Sequence, residues 1–185
     1  MPDGLATLIA RIDEAVQLHG EEVITQRIKR ELQDAIRART VVLPERFHRV
    51  RAESYARRLL HKNDDLGYTA VVMTWGPGQR TPLHDHAGIW CVEVVVKGEM
   101  DVTQYELERE DGGLCRFRRR DPVHAGIGSA GCLIPPFEHH VLANASPDPS
   151  MTLHVYGGEI TRCNVYLPRP DGWYERQTRV LAYDD

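Results

Sequence analysis

From Gly67 onward the sequence consists of short β-rich runs, and each run is separated from the next by turn-forming residues. Two of these turn clusters cover residues 76–78 and 146–149 and contain only Gly, Pro, Ser and Asp. Short strands with turn signals at this spacing are typical of an antiparallel sandwich or barrel. The predicted strands cover residues 68–75, 91–96, 101–108, 131–134, 139–143, 151–155 and 163–167.

The N-terminal part has a different pattern. Between Leu5 and Arg39, apolar residues recur at intervals of three and four, which predicts amphipathic helices interrupted near Gly20. We predict a further short helical piece over residues 44–60. The fold class is therefore α+β, mainly β, with a helical segment over about residues 1–62 and a small antiparallel β-barrel over about residues 67–170. No linker or repeat divides the chain, so residues 1–185 are predicted to form a single domain.

Composition and charge exclude several classes of partner. Of the 185 residues, 42% are hydrophobic and 27% are charged, which is enough apolar content for one buried core. The net charge is -4, and the basic run at residues 116–120 is short, so we expect no nucleic-acid binding. We interpret that run as the solvated edge of a hairpin.

The sequence offers no signal for export or membrane insertion. Residues 1–4 lack the basic and apolar regions of a signal peptide, and no apolar run is long enough to span a bilayer. We therefore expect a cytoplasmic protein that does not bind membranes and is a monomer or a weak homo-oligomer. In a reducing compartment its cysteines, which form no CxxC pair, should be free thiols; they are Cys91, Cys115, Cys132 and Cys163.

Two histidine-containing segments suggest the chemistry. His84 and His86 are two residues apart, so their imidazoles point to the same side of an extended segment. A third imidazole can join them from residues 135–144, where His139 and His140 are adjacent. Three neutral nitrogen ligands that leave coordination positions open are typical of a catalytic metal site rather than a structural one.

These segments resemble the two signature motifs of the cupin superfamily. The residues in register with the motifs are Gly78, His84, His86, Gly98, Pro135, His140 and Asn144. The resemblance implies a double-stranded β-helix barrel with His84, His86 and His140 as metal ligands, and it favours His140 over His139. Two positions depart from the motifs. Cys91 stands where most cupins carry a carboxylate ligand, and Phe137 replaces a glycine.

A cupin with three histidines and a cysteine at that position resembles the thiol dioxygenases typified by cysteine dioxygenase. Cys91 falls where the mammalian members carry a cysteine that crosslinks to a tyrosine. Thr152, His154 and Tyr156 resemble the Ser-His-Tyr relay of the family, with threonine in place of serine. The resemblance implies catalytic roles for these four residues, and Tyr156 would act as a hydrogen-bond donor or proton carrier near the substrate.

Upstream, Tyr55 and Arg57 resemble the Tyr-x-Arg segment that holds the substrate carboxylate in this family. The planar fork of an arginine suits a carboxylate, and Tyr55 would support the arm through its hydroxyl. The spacing to Trp75 instead favours Arg58. The Tyr-x-Arg pattern makes Arg57 the preferred candidate.

The resemblance implies an Fe(II)-dependent dioxygenase that uses O2 to convert a thiol into a sulfinic acid. A neutral three-histidine site leaves Fe(II) its full positive charge, which favours an anionic thiolate and leaves positions for substrate and O2. Arg57 favours L-cysteine as the substrate, giving cysteine sulfinate, and 3-mercaptopropionate or another thiol acid such as mercaptosuccinate is the alternative. A different cupin enzyme, or a cupin that binds a small ligand without turnover, are more distant alternatives. The missing carboxylate ligand counts against the first and the relay against the second.

Overall fold

Two antiparallel sheets and two helices make up most of the molecule in the computed structural model, which describes residues 4–185. Residues 1–3, part of the segment in which we found no signal peptide, lie outside that range. No helix within residues 4–185 combines the length and the apolar character that crossing a membrane requires.

The helices come first along the chain. They are α1 (Gly4–Val16) and α2 (Glu21–Arg37), followed by a 3-10 turn at Glu45–His48. The strands are β1 (Ala56–Asn63), β2 (Tyr68–Trp75), β3 (Leu83–His84), β4 (Cys91–Lys97), β5 (Met100–Asp111), β6 (Leu114–Arg119), β7 (Val123–Ala125), β8 (Ala130–Leu133), β9 (His140–Ala143), β10 (Ser150–Tyr156), β11 (Arg162–Pro168) and β12 (Tyr174–Val180).

The strands form two sheets with many crossovers between them. The first sheet has the order β1-β2-β10-β4-β8, and the second has the order β6-β12-β11-β3-β9-β5-β7. In the second sheet β6 also pairs with β5, so the pairing closes back on itself. Because side chains alternate along each strand, one face of each sheet supplies the shared interior between the sheets.

The helices pack on the outer face of the first sheet. In α2 the apolar residues Ile28 and Leu32 are one turn apart and fully buried, and they belong to the same core cluster as Val92 and Val94 of β4. Full burial of side chains of this size stabilises the fold by about 1.5–3 kcal/mol each. This packing anchors the sheet whose opposite face helps to form the interior.

The predicted fold class, α+β and mainly β, is confirmed. Both helices and the break near Gly20 are present, and each of the seven predicted strands has a counterpart within one or two residues at its ends, apart from the longer β5. The sequence did not reveal β12, which extends the strand region beyond residue 170.

The prediction of a helical piece over residues 44–60 is wrong, as is the expectation that the N-terminal segment is helical to about residue 62. Only Glu45–His48 is helical, and Ala56–Asn63 is the strand β1. The reason is tertiary pairing, because β1 forms an antiparallel ladder with β2 from Ala56 opposite Thr74 to Asn63 opposite Tyr68. Such long-range pairing overrides weak local propensity.

Gly98, the last position of the first histidine motif, forms the turn between β4 and β5. Its φ is +72°, and a Cβ placed there would lie 2.4 Å from Oγ of Ser150. A side chain would therefore be strained by the backbone and would also clash. The requirement for glycine at this position follows from both facts.

Candidate metal centre

Three imidazoles meet between the two sheets. His84 ends β3 and lies directly opposite His140, the first residue of β9, while His86 follows β3 in a loop. Their ring centroids are 4.7 Å apart for His84 and His140, 5.1 Å for His84 and His86, and 5.0 Å for His86 and His140. One nitrogen from each ring can be chosen so that all three lie within 4.8 Å of one another. The structure thus brings the three predicted ligands together around one point.

The ring nitrogens fit a metal ion. Burial lowers the pKa of His84 to about 3 and the pKa of His140 well below its usual value, so both rings are neutral. Nδ1 of His84 donates to the carbonyl oxygen of Pro82 at 3.1 Å, which leaves Nε2 free to bind a metal. Nδ1 of His86 and both ring nitrogens of His140 are buried without a hydrogen-bond partner among residues 4–185. Buried polar atoms rarely remain unpaired, and a bound ion would satisfy a nitrogen of each ring.

The loop that carries two of the imidazoles is held by buried carboxylates. The carboxylate of Asp85 accepts two hydrogen bonds from Asn164, one from its backbone N–H at 2.9 Å and one from its side-chain Nδ2 at 2.8 Å. It also accepts one from the hydroxyl of Tyr166 at 2.9 Å. The backbone N–H of His86 donates to Oε2 of Glu138 at 2.8 Å. The positions of the imidazoles are therefore fixed from β11 and from the segment before β9.

Asp85→Asn is expected to destabilise the protein by about 1–3 kcal/mol, because an amide would turn donor hydrogens toward groups that already donate. Burial alone would raise the pKa of the Asp85 carboxyl, but its hydrogen bonds hold that pKa below the usual value. Its stabilising effect is therefore present above the ordinary aspartate pKa and is lost as the pH falls through the lowered one. Urea unfolding at pH 7 tests this, with the half-exposed Asp101→Asn as the control. Equal effects of the two substitutions would contradict it.

Cys91 contacts His154, the middle residue of the predicted relay of Thr152, His154 and Tyr156. It begins β4, is fully buried, and lies directly opposite Tyr156 of β10. Its Sγ is 3.9 Å from Nδ1 of His154. Burial raises the pKa of the Cys91 thiol well above its usual value, so the thiol is neutral. The position that holds a carboxylate ligand in other cupins therefore adds no negative charge to the site.

The structure brings the three residues of the predicted relay together on β10, with a hydrogen bond between the first two. Thr152, His154 and Tyr156 alternate along β10, and Oγ1 of Thr152 lies 2.7 Å from Nε2 of His154. The indole N–H of Trp75 donates to the same Oγ1 at 3.0 Å, which leaves the hydroxyl proton of Thr152 free to donate to His154. The rings of His154 and Tyr156 are stacked, with centroids 6.0 Å apart and an angle of 12°. Thr152 therefore orients His154, while the rings of His154 and Tyr156 lie nearly parallel on the same face of β10.

A cavity that is partly open to solvent lies beside the cluster. The three clustered histidines, His154 and Tyr156 line it. The other polar side chains in its wall are Tyr55, Arg57, Thr81, Asp85, Cys163 and Arg179.

The structure places Arg57 at this cavity and Arg58 outside it. The guanidinium of Arg57 donates from Nη2 to the carbonyl of Ile160 at 3.0 Å and from Nη1 to the carbonyl of Ala182 at 3.4 Å. The side chain of Arg58 points to the other face of β1 and donates from Nε to the carbonyl of Asp185 at 2.9 Å. Tyr55 stacks on Trp75, with ring centroids 4.5 Å apart, and lines the cavity next to Arg57.

The segment after β12 holds Arg57 in place. Asp184 forms two hydrogen bonds with the backbone of Arg57. The backbone N–H of Asp184 donates to the Arg57 carbonyl at 2.7 Å, and Oδ2 of Asp184 accepts from the Arg57 N–H at 2.8 Å. The guanidinium lies over the ring of Tyr183, 4.6 Å from its centroid. The hydroxyl of Tyr183 in turn donates to Glu159 at 3.2 Å. Two of the five N–H groups of Arg57 donate to carbonyl oxygens and a third interacts with the Tyr183 hydroxyl, so at most two remain for a ligand.

Tyr183→Leu is expected to weaken the binding of a small carboxylate at Arg57 about fivefold, because the guanidinium loses about 1 kcal/mol of cation–π interaction. Tyr183→Phe keeps the ring and should stay within about twofold of the wild type. Calorimetric titration with propionate measures both affinities. If the phenylalanine variant is impaired as strongly as the leucine variant, the ring is not what holds Arg57.

The sequence did not reveal Glu93, a buried carboxyl next to the site. It lies two residues after Cys91 on β4, with Oε1 3.8 Å from Nδ1 of His140 and Oε2 3.5 Å from Nδ1 of His154. Burial raises the pKa of Glu93 to about 8, so at neutral pH the group is mostly uncharged. Side chains alternate along a strand, so a position for Cys91 in the interior implies the same for Glu93. This alternation is the sequence signal that could have revealed Glu93.

Two crossed-over antiparallel sheets with a cluster of three imidazoles between them define the protein as a cupin with a three-histidine site. Its sequence matches the cysteine dioxygenase type I family over residues 2–169, which is most of the chain. The protein belongs to this family, and the family predicted from the histidine motifs is confirmed.

The chain is similar to several solved structures. A protein from Thermus thermophilus is 21% identical, covering 63% of this chain and 94% of that one, with a TM-score of 0.48. A Klebsiella pneumoniae protein with a double-stranded β-helix domain is 19% identical, covering 64% of this chain and 91% of that one, with a TM-score of 0.47. The cupin domain of a transcriptional regulator from Enterobacter cloacae is 16% identical, covering 56% of this chain and 96% of that one, with a TM-score of 0.43.

Proposed function

We propose that the protein is an iron-dependent thiol dioxygenase that oxidises the sulfur of a small thiol carboxylate to a sulfinic acid. The main support is the cluster of His84, His86 and His140, which borders a small cavity that also contains Arg57. His86 and His140 have buried ring nitrogens without a hydrogen-bond partner among residues 4–185. The family of the chain is the second support. Both oxygen atoms of O2 form bonds to sulfur, and the electrons that O2 takes up come from the sulfur, so no other reductant is required.

His84, His86 and His140 would hold Fe(II), which when bound supplies open positions for a thiolate and for O2. The absence of a charged carboxylate ligand supports this choice of substrate, because a site with more positive charge favours an anionic sulfur. Because Cys91 is neutral and the pKa of Glu93 is raised, neither residue adds a full negative charge beside the cluster.

The other residues would orient the substrate and the proton donors. Arg57 would hold the carboxylate of the thiol with its free N–H groups, supported by Tyr55 in the same wall. Tyr156 is buried in the cavity wall, and burial raises the pKa of its hydroxyl well above the usual value, so it would act as a hydrogen-bond donor. Thr152 would keep His154 in one orientation behind Tyr156.

L-Cysteine, which would give cysteine sulfinate, is the first substrate that the family suggests. 3-Mercaptopropionate and mercaptosuccinate carry the same combination of thiol and carboxylate, so Arg57 alone does not separate the three. A carboxylate clamp does not by itself demand an amino group.

Oxygen uptake by the Fe(II)-loaded protein tests the proposal. The protein is loaded without O2, and uptake is then recorded with L-cysteine, 3-mercaptopropionate and mercaptosuccinate in parallel. We expect uptake that depends on both iron and thiol. If none of the three thiols stimulates uptake, the protein is not a thiol dioxygenase, and a cupin that binds a small ligand without turnover becomes the better description.

A further inference from the structure

A second arginine, Arg179, faces the cavity. It lies on β12 directly opposite Cys163 of β11, and residues opposite each other in an antiparallel pair point to the same side of a sheet. Cys163 lines the cavity, as do Arg179 and, two residues further along the chain, Leu181. The cavity therefore has a buried guanidinium, that of Arg57, and an exposed one, that of Arg179.

Neither guanidinium forms an ion pair with a carboxylate among residues 4–185. Arg179 forms no ion pair or hydrogen bond through its side chain with any residue in the range 4–185. The guanidinium of Arg57 contacts two carbonyls and a tyrosine ring. Asp85 is the acidic residue in the cavity wall, and the groups that donate hydrogen bonds to it, from Asn164 and Tyr166, are neutral, so it keeps its negative charge. With two arginines and one aspartate, the charged side chains in the cavity wall sum to one positive charge.

The positive charges of Arg57 and Arg179 both affect the part of the cavity near Cys163 and Tyr55. Burial raises the pKa of the Cys163 thiol to about 11 and also raises the pKa of Tyr55, and in both groups Arg179 and Arg57 oppose that rise. Two cations that influence the same two side chains can also influence one small ligand lying between them. A ligand with two negative groups matches this arrangement better than a ligand with one.

We propose that the cavity binds two carboxylates of a single thiol substrate, one at Arg57 and the other at Arg179, so that it favours thiol dicarboxylates. This inference rests on the proposed function and ranks mercaptosuccinate above L-cysteine and 3-mercaptopropionate. The preference should be about tenfold in affinity, the size expected for one charge-assisted hydrogen bond at a partly exposed site. L-Cysteine carries an ammonium group in addition to its single carboxylate, and that charge gains nothing from a second guanidinium.

Equilibrium binding tests the second carboxylate position without turnover. Succinate and propionate differ by one carboxylate, and their affinities for the Fe(II)-loaded protein can be measured by calorimetry in the absence of O2. We expect succinate to bind about tenfold more tightly than propionate, and we expect Arg179→Gln to remove that difference. The matched control is Arg162→Gln, because Arg162 lies opposite Val180 and so points away from the cavity face. Equal affinities in the wild type would overturn the inference.

Kinetics separate a binding role from long-range attraction. Mercaptosuccinate differs from 3-mercaptopropionate by one carboxylate, so Arg179→Gln should lower kcat/KM about tenfold for the first and less than about twofold for the second. An equal loss for both acids would mean that Arg179 only attracts anions to the cavity, and the inference would be wrong. If no thiol is oxidised at all, the proposed function fails, while the succinate measurement still decides whether Arg179 binds a second carboxylate.

Discussion

Replacing His140 with alanine is expected to lower the affinity for iron at least about 100-fold and to abolish thiol-dependent oxygen uptake. Loss of a residue that only supports a ligand costs about 10- to 100-fold in metal affinity, so loss of a ligand itself should cost more. His140 is fully buried, and neither ring nitrogen has a hydrogen-bond partner within residues 4–185. Iron content after anaerobic loading and dialysis measures the affinity, and circular dichroism shows whether the variant is folded.

The neighbouring histidine is the matched control for this substitution. His139 is also buried, but its ring lies among Phe117 and Tyr166, with Nε2 3.4 Å from the Tyr166 hydroxyl. His139→Ala should therefore keep its iron. If His139→Ala loses iron and His140→Ala keeps it, the assignment of the third ligand is wrong.

Arg57→Gln is expected to lower kcat/KM for L-cysteine and for 3-mercaptopropionate about 10- to 100-fold. A hydrogen bond to a charged group is worth about 1.5–3 kcal/mol, and glutamine cannot replace the charge or the fork of the guanidinium. Arg57 is 6% exposed, so solvent screens the interaction little. The iron content should remain normal, because Arg57 is not part of the histidine cluster.

Two comparisons isolate the carboxylate interaction. Cysteamine has a thiol but no carboxylate, so its oxidation should change less than about twofold in Arg57→Gln. Arg58→Gln removes an equally buried charge on the other face of β1 and should leave the KM of carboxylate thiols unchanged. A selective loss in Arg58→Gln, or equal losses for L-cysteine and cysteamine in Arg57→Gln, would refute the role of Arg57.

The clustering of the three histidines could be predicted because its signal is local. His84 and His86 share a face by strand alternation, and the spacing of Pro135, His140 and Asn144 separates His140 from its neighbour. The strand pairing puts His84 directly opposite His140, as a common ion requires.

Residues that reach the site through strand pairing could not be predicted in the same way. Arg179 faces the cavity because β12 pairs with β11 in a register that places it opposite Cys163. Tyr183 contacts Arg57 although the two are far apart in the sequence. Glu93 could have been predicted as an interior residue, because it lies two residues after Cys91 on β4 and points to the same side of the sheet. The helix expected near residue 60 was wrong because pairing with β2 decides the conformation of that segment.

The choice between Arg57 and Arg58 shows the same limit. In the sequence, the Tyr-x-Arg pattern that begins at Tyr55 favoured Arg57, whereas the spacing to Trp75 favoured Arg58. In a strand, neighbouring side chains point in opposite directions, so only one of the two arginines can face the interior. That decision depends on the register of β1 against β2, and the register places Arg57 at the cavity.

The source of the oxygen atoms in the product tests the central claim most directly. The Fe(II)-loaded protein is supplied with a thiol carboxylate and ¹⁸O-labelled O2 in ordinary water, and the mass of the sulfinic acid is measured. A thiol dioxygenase places both labelled atoms in the product, because both oxygens of O2 are transferred to sulfur. A product that carries one labelled atom or none, or thiol consumption that yields only disulfide, would contradict the proposed function.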